Sequence, residues 1–133
     1  MALGEVLGEA RGKIALMKVL SDGKVEVSVQ GRGNLLGSEM TDIVTYSAVM
    51  RPNGTVYGEA HEMAMSNDGG LAVWTGAGVG KPTGHGGWRY SYGGAHQNAS
   101  SQKWARLLDV YTVGEYEVDE NGNYYWKLWE WKY

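Results

Sequence analysis

The 133-residue chain carries 12 basic and 15 acidic residues, a formal net charge of −3, and no cysteine. Disulfides and thiolate metal sites are therefore excluded, and with the basic residues scattered, so is nucleic-acid binding through a phosphate-neutralising face. No stretch approaches the roughly 18 apolar residues of a helical membrane span, so no membrane partner is expected.

At this length a single domain over residues 1–133 is expected. The opening "MALGEVLGEARGK" lacks a basic n-region and a sustained apolar h-region, so it does not read as a secretory signal and the expected compartment is the cytoplasm. A short helix is expected within residues 2–10. "GKIALMKVL" (12–20) supplies a first strand, turned by "SDG" into "GKVEVSVQG", where Val25, Val27 and Val29 alternate with polar residues as in a half-buried antiparallel strand. "TDIVTYSAVM" (41–50) ends at the turn "RPNG", and "TVYGEAHEMAM" (55–65) ends at "SNDGG". "LAVWTGAGVG" and "GWRYSYGGAH" (87–96) follow. In "SSQKWARLL" (100–108) a helical turn is expected, with Ser100 as its cap and Trp104, Leu107 and Leu108 facing inward. "VYTVGEYEV" (110–118) and "NYYWKLWEWKY" (123–133) close the chain across "DENG".

About eight strands in one open sheet would leave two exposed edges, and closure removes them. The expected fold is all-β, a single closed antiparallel barrel of about eight strands with at most one or two short helices. A two-sheet sandwich is the competitor. Glycines at 58, 76, 78, 80, 87, 93 and 94 fall within the middle strands, where they relieve crowding or let another group approach.

"GAGVGKPTGHGG" (76–87) has six glycines around Lys81, but it is not a phosphate loop. The first glycine of the Walker pattern is replaced by Thr75, and Pro82 follows the lysine with neither hydroxyl nor N–H. The dinucleotide pattern fails at Lys81 or Thr83, so the stretch is expected to turn a corner. His61, His85 and His96 stand on separate segments without metal-ligand spacing, and no metal or cofactor is expected.

Strand 55–65 places Tyr57, Glu59, His61, Met63 and Met65 on one face. If that face lines the lumen, Glu59 and His61 form a carboxylate–imidazole pair suited to acid/base work. Asp42, Glu59 and Glu117 are candidates for paired carboxylates, but nothing in the sequence shows that any two meet. There is no Phe, yet there are 9 Tyr and 6 Trp, so the interior walls must be aromatic and able to hydrogen bond. Tyr46, Tyr57, Trp74, Trp88, Tyr90 and Trp126 are the expected ligand-lining residues. The last strand is aromatic on both faces (Tyr124 and Trp126; Tyr125, Trp129 and Trp131), which calls for cover by the N-terminal segment or a second copy, hence a homo-oligomer.

The run "GTVYGEAHEMAMSNDGGLAVWTGAGVG", with "WRYSYGG", "SSQKWARLLDVYTVGEYEV" and "LWEWK", resembles small prokaryotic proteins of unassigned function. Their layout is similar to the calycin-type barrels of the allene oxide cyclase and dirigent kind. The resemblance implies an eight-stranded barrel with a lumen, often oligomeric, whose relatives bind or cyclise apolar substrates. The first expectation is a barrel binding a small apolar or aromatic ligand. The alternatives are a cyclase or isomerase using Glu59 and His61, and a self-assembling structural subunit.

Overall fold

The computed structural model describes residues 2–132, with side chains from 3 to 132. Eight strands run in sequence order around a closed antiparallel barrel: β1 (Ala2–Ser21), β2 (Lys24–Leu35), β3 (Ser38–Met50), β4 (Val56–Ser66), β5 (Leu71–Pro82), β6 (Trp88–Ala99), β7 (Tyr111–Val118) and β8 (Asn123–Lys132). The ladder between β1 and β8 closes the sheet, from Ala2↔Lys132 to Lys13↔Asn123. This is the expected barrel and not a sandwich.

The helix expected within residues 2–10 is instead strand. An unpartnered β8 would leave a row of N–H and C=O groups unsatisfied, and pairing with β1 outweighs the weak local preference for helix. From Ala15 onward β1 pairs with β2 alone, so the β1–β2 hairpin overhangs one end of the barrel. Leu16, Met17, Val19 and Leu20 are exposed on it. Among the described residues no helix is long and apolar enough to cross a membrane.

The opposite end is sealed. A 3₁₀ helix, Gln102–Asp109, drives Trp104 and Leu107 into the barrel, where both are completely buried beside Leu7 and Leu35. The Trp104 indole N–H donates to the Leu35 carbonyl at 2.9 Å. With three residues per turn, positions 104 and 107 share one side and Leu108 falls off it. Leu108 is thus 50% exposed, against expectation. Ser100 is not the cap: the residue before the helix is Ser101, which makes no side-chain capping bond, and Ser100 Oγ accepts from the Leu71 N–H at 2.9 Å.

The glycine stretch turns its corner as expected. Its first half continues β5, and residues 83–87 form the turn, with Gly84 and Gly86 at φ +93° and +86°. Glycine also clears space within the barrel: a Cβ on Gly94 would stand 2.6 Å from Trp74 Cζ2, so only glycine leaves room for the indole there.

The inner face of β4 is the one not expected. Val56, Gly58, Glu62 and Ala64 are buried and Ala60 is half-buried, while Tyr57, Glu59, His61 and Met63 are exposed. Glu59, His61 and Tyr57 therefore stand outside the lumen, which corrects the expected placement of all three. The reason is volume. Tyrosines and tryptophans from β3 and from β5 to β8 already occupy the interior, so the strand facing them contributes small residues and turns its larger ones outward.

Candidate functional site

Within the barrel lies a cavity of about 70 Å³, walled by Tyr46, Trp74, Tyr90, Tyr92, Tyr116 and Trp126 with Val44 and Leu128, and by Gly58, Ala60 and Glu62 of β4. Tyr46, Tyr90 and Tyr116 meet edge to face in a triangle, with ring centroids 5.3–5.7 Å apart. The Tyr116 hydroxyl is 3.1 Å from that of Tyr46. Trp74 packs edge-on to Tyr92 at 5.3 Å, and its N–H donates to Thr112 Oγ1, which donates onward to the Gly94 carbonyl. These rigid rings face the small residues Gly58 and Ala60 across the lumen, which leaves room at the centre. Burial pushes the Tyr46, Tyr90 and Tyr116 hydroxyls up, so each stays neutral.

Two carboxyl groups occupy this interior. Asp42 of β3 is completely buried and Glu62 of β4 is 7% exposed. The register pairs Asp42 with Ala64 and Val44 with Glu62, so the two are diagonal neighbours on one face, within reach of a long side chain. Asp42 Oδ2 accepts hydrogen bonds from the Tyr124 hydroxyl at 2.7 Å and the Trp126 indole N–H at 2.8 Å. Tyr124 reaches it from β8 by crossing Gly31, the residue opposite Asp42 in the ladder; a Cβ on Gly31 would stand 2.6 Å from that hydroxyl. Asp42 Oδ1 has no N–H, Tyr, Ser or Thr donor. The Glu62 carboxyl is held well above the usual carboxylate range, first by burial and then by the charge of Asp42 and the hydrogen bond to it.

A third buried polar group, His96, lies on the inner side of β6 opposite Trp74, with both ring nitrogens buried and unpartnered. Burial lowers its pKa to about 4, so the ring is neutral at physiological pH.

Of the residues expected to line a ligand, Tyr46, Trp74, Tyr90 and Trp126 wall the cavity. Trp88 packs against the core from a half-buried position and does not wall the cavity, and Tyr57 is 40% exposed outside. Glu59 and His61 line a hollow on the outer surface over β4 to β6, with Thr75, Gly93, Gln97 and Tyr111. That hollow is larger, about 420 Å³, but open to solvent and floored by glycine and alanine, so it would bury little of a ligand. Among the described residues no group of three His, Asp or Glu side chains is arranged to hold a metal ion. Tyr92, Tyr116 and Glu62 were missed by sequence reasoning. The available signal was the inward parity of Tyr90, which Tyr92 shares, and the small residues flanking Glu62 in "GEAHEMA".

The outer aromatics of β8 are partly covered by the chain itself. The Arg11 guanidinium lies 4.2 Å from the Tyr125 ring centroid, and the Lys127 ammonium 5.3 Å from that of Trp129.

Fold and site together define a closed eight-stranded barrel with an aromatic interior. Solved structures share that fold. A conserved protein of unknown function from Rhodopseudomonas palustris superimposes with a TM-score of 0.78 at 11% identity, covering 98% of this chain and 97% of that one. A protein of unknown function from Clostridium acetobutylicum gives 0.79 at 12% identity over 99% and 100% of the two chains. A β-barrel-like protein from Acinetobacter baumannii gives 0.75 at 14% identity over 98% and 96%. More distantly, an enzyme from Penicillium herquei gives 0.55 at 17% identity over 95% and 92%. No protein-family model matches the chain, and no curated protein does.

Proposed function

We propose that the protein binds a small, largely apolar molecule in its lumen. The observation that carries this reading is the cavity of about 70 Å³ in the barrel, walled by six Tyr and Trp side chains and facing Gly58 and Ala60. A filled interior would have supported a purely structural subunit. An engineered cavity of about 150 Å³ holds benzene, so this one takes a short branched chain or, with some widening, a single ring. The layout of the allene oxide cyclase and dirigent barrels, which the sequence resembles, accords with the reading, since those relatives hold apolar substrates in the lumen. An acid/base role for Glu59 and His61 has no support from their outward position.

Trp74 and Trp126 in the wall provide the readout. Small apolar probes such as isobutanol and toluene are expected to change tryptophan fluorescence saturably, and Ala60→Leu, which fills the cavity, to weaken binding at least about tenfold. Equal binding by Ala60→Leu, or no saturable binding in the wild type, overturns the reading.

A further inference from the structure

The interior is chemically one-sided. It holds two buried carboxyl groups, Asp42 and Glu62, yet Asp42, Glu62, Ser66, His96 and Thr112 are the only buried polar or charged side chains among the described residues, so no Lys or Arg joins them. The ion pairs of the described residues, Arg89–Glu117, Lys103–Asp68 and Arg106–Glu5, all lie on the surface. A buried charge is ordinarily compensated by a partner of opposite sign. Here Asp42 is served only by the neutral donors Tyr124 and Trp126 and by the proton of Glu62. Glu62, more than nine-tenths buried, faces the cavity, with the Asp42 carboxyl as its hydrogen-bond partner. The missing element is a cation, and the surrounding wall is what a cation prefers: rings whose electron-rich faces attract ammonium groups.

We propose that the natural ligand is a small monoamine that enters as its ammonium form, with the charged nitrogen at Glu62 inside the Tyr46–Tyr90–Tyr116 and Trp74–Trp126 cage. This rests on the reading of the lumen as a ligand site and names its ligand class. As the ammonium arrives, the O–H bond of Glu62 breaks and its proton leaves to solvent. The ligand keeps its own proton, and the two carboxylates then face one cation. An anion finds no cationic partner in this interior, and a neutral ligand leaves the carboxyl pair as it is. The ionisable groups around Glu62 are Asp42 on β3, Tyr92 on β6 and Tyr124 on β8, and both tyrosines stay neutral because burial and these same carboxylates raise them. Glu62 is therefore the group that titrates on binding.

The test compares isobutylamine with isobutanol, its uncharged counterpart of equal size, on the full chain by calorimetry in two buffers of different ionisation enthalpy. Isobutylammonium is expected to bind at least tenfold more tightly than isobutanol and to release close to one proton. Its affinity should rise toward about tenfold per pH unit while Glu62 remains protonated in the free protein. Glu62→Gln should abolish the proton release and bring the affinities for the amine and for isobutanol to within about threefold of each other. If isobutanol binds as well as the amine and no proton is released, the amine proposal is overturned and the apolar lumen stands. If neither binds, both readings fall. The proton count on the wild type decides the matter even if Glu62→Gln does not fold.

Discussion

The two halves of the barrel interior use the same aromatic residue types to opposite ends. At the sealed end Trp104 is set among Leu7, Leu35 and Leu107, all at most 1% exposed, and its one polar atom has a backbone carbonyl. In the lumen Tyr46, Tyr90 and Tyr116 meet one another edge to face against Gly58 and Ala60, and a cavity remains. Aliphatic side chains mould themselves around an indole, whereas rigid rings opposed to small residues do not close on each other. One half is built to be full and the other to have room.

Breaking the sealed end should have the largest effect. Trp104→Ala removes a fully buried indole and its hydrogen bond, and a loss of about 3–5 kcal/mol is expected from urea unfolding. A loss below about 1 kcal/mol would show that this end contributes no more than the lumen does.

His96, a buried imidazole with no partner, sharpens the contrast through pH. Its pKa is lowered to about 4 from 6.5 by burial, so the folded state takes up its proton at lower pH than the unfolded chain does. The stability it permits is fully present above pH 6.5 and is lost as pH falls toward 4, a change on the order of 3 kcal/mol. Glu62 has the opposite sign. Raised in the folded state, it contributes most at low pH and loses that contribution as pH rises through its folded pKa. Unfolding midpoints at pH 7 and pH 4 are expected to converge in His96→Leu relative to the wild type. Equal pH dependence in the two proteins would mean that the imidazole is solvated.

The smallest effect is expected where the lumen already has space. A Cβ on Gly58 meets the Ser47 carbonyl oxygen at 3.0 Å and Tyr90 Cε2 at 3.6 Å, so Gly58→Ala should shift stability by less than about 1 kcal/mol. At Gly94 the same Cβ would stand 2.2 Å from the Thr75 carbonyl oxygen and 2.6 Å from the Trp74 ring, and the loss should be several times larger. Thermal melts of the two variants measure the difference; equal losses would contradict a lumen with room at β4.

How much of this was legible follows from the range of the interactions. The alternation of Val25, Val27 and Val29, the turn at "RPNG" and the inward Trp104 are local patterns, and each appears in the fold where it was expected. The helix expected within 2–10 was not such a case, because the demand that turned it into strand came from β8, more than a hundred residues away in the chain.

The sequence by itself determined an all-β chain of about eight strands, because period-two alternation, turn glycines and the absence of long apolar helices act over a few residues; closure into a barrel rather than a sandwich was decided by the long-range ladder between β1 and β8. Only the tertiary structure decided which face of β4 looks inward. Both faces of "VYGEAHEMAMS" carry a carboxylate and apolar residues, and the choice between Glu59 and Glu62 was made by the volume of rings arriving from other strands. The meeting of Asp42 with Glu62 likewise depends on the register between β3 and β4 and on Tyr124 crossing Gly31. A one-residue slip there would turn the whole set outward.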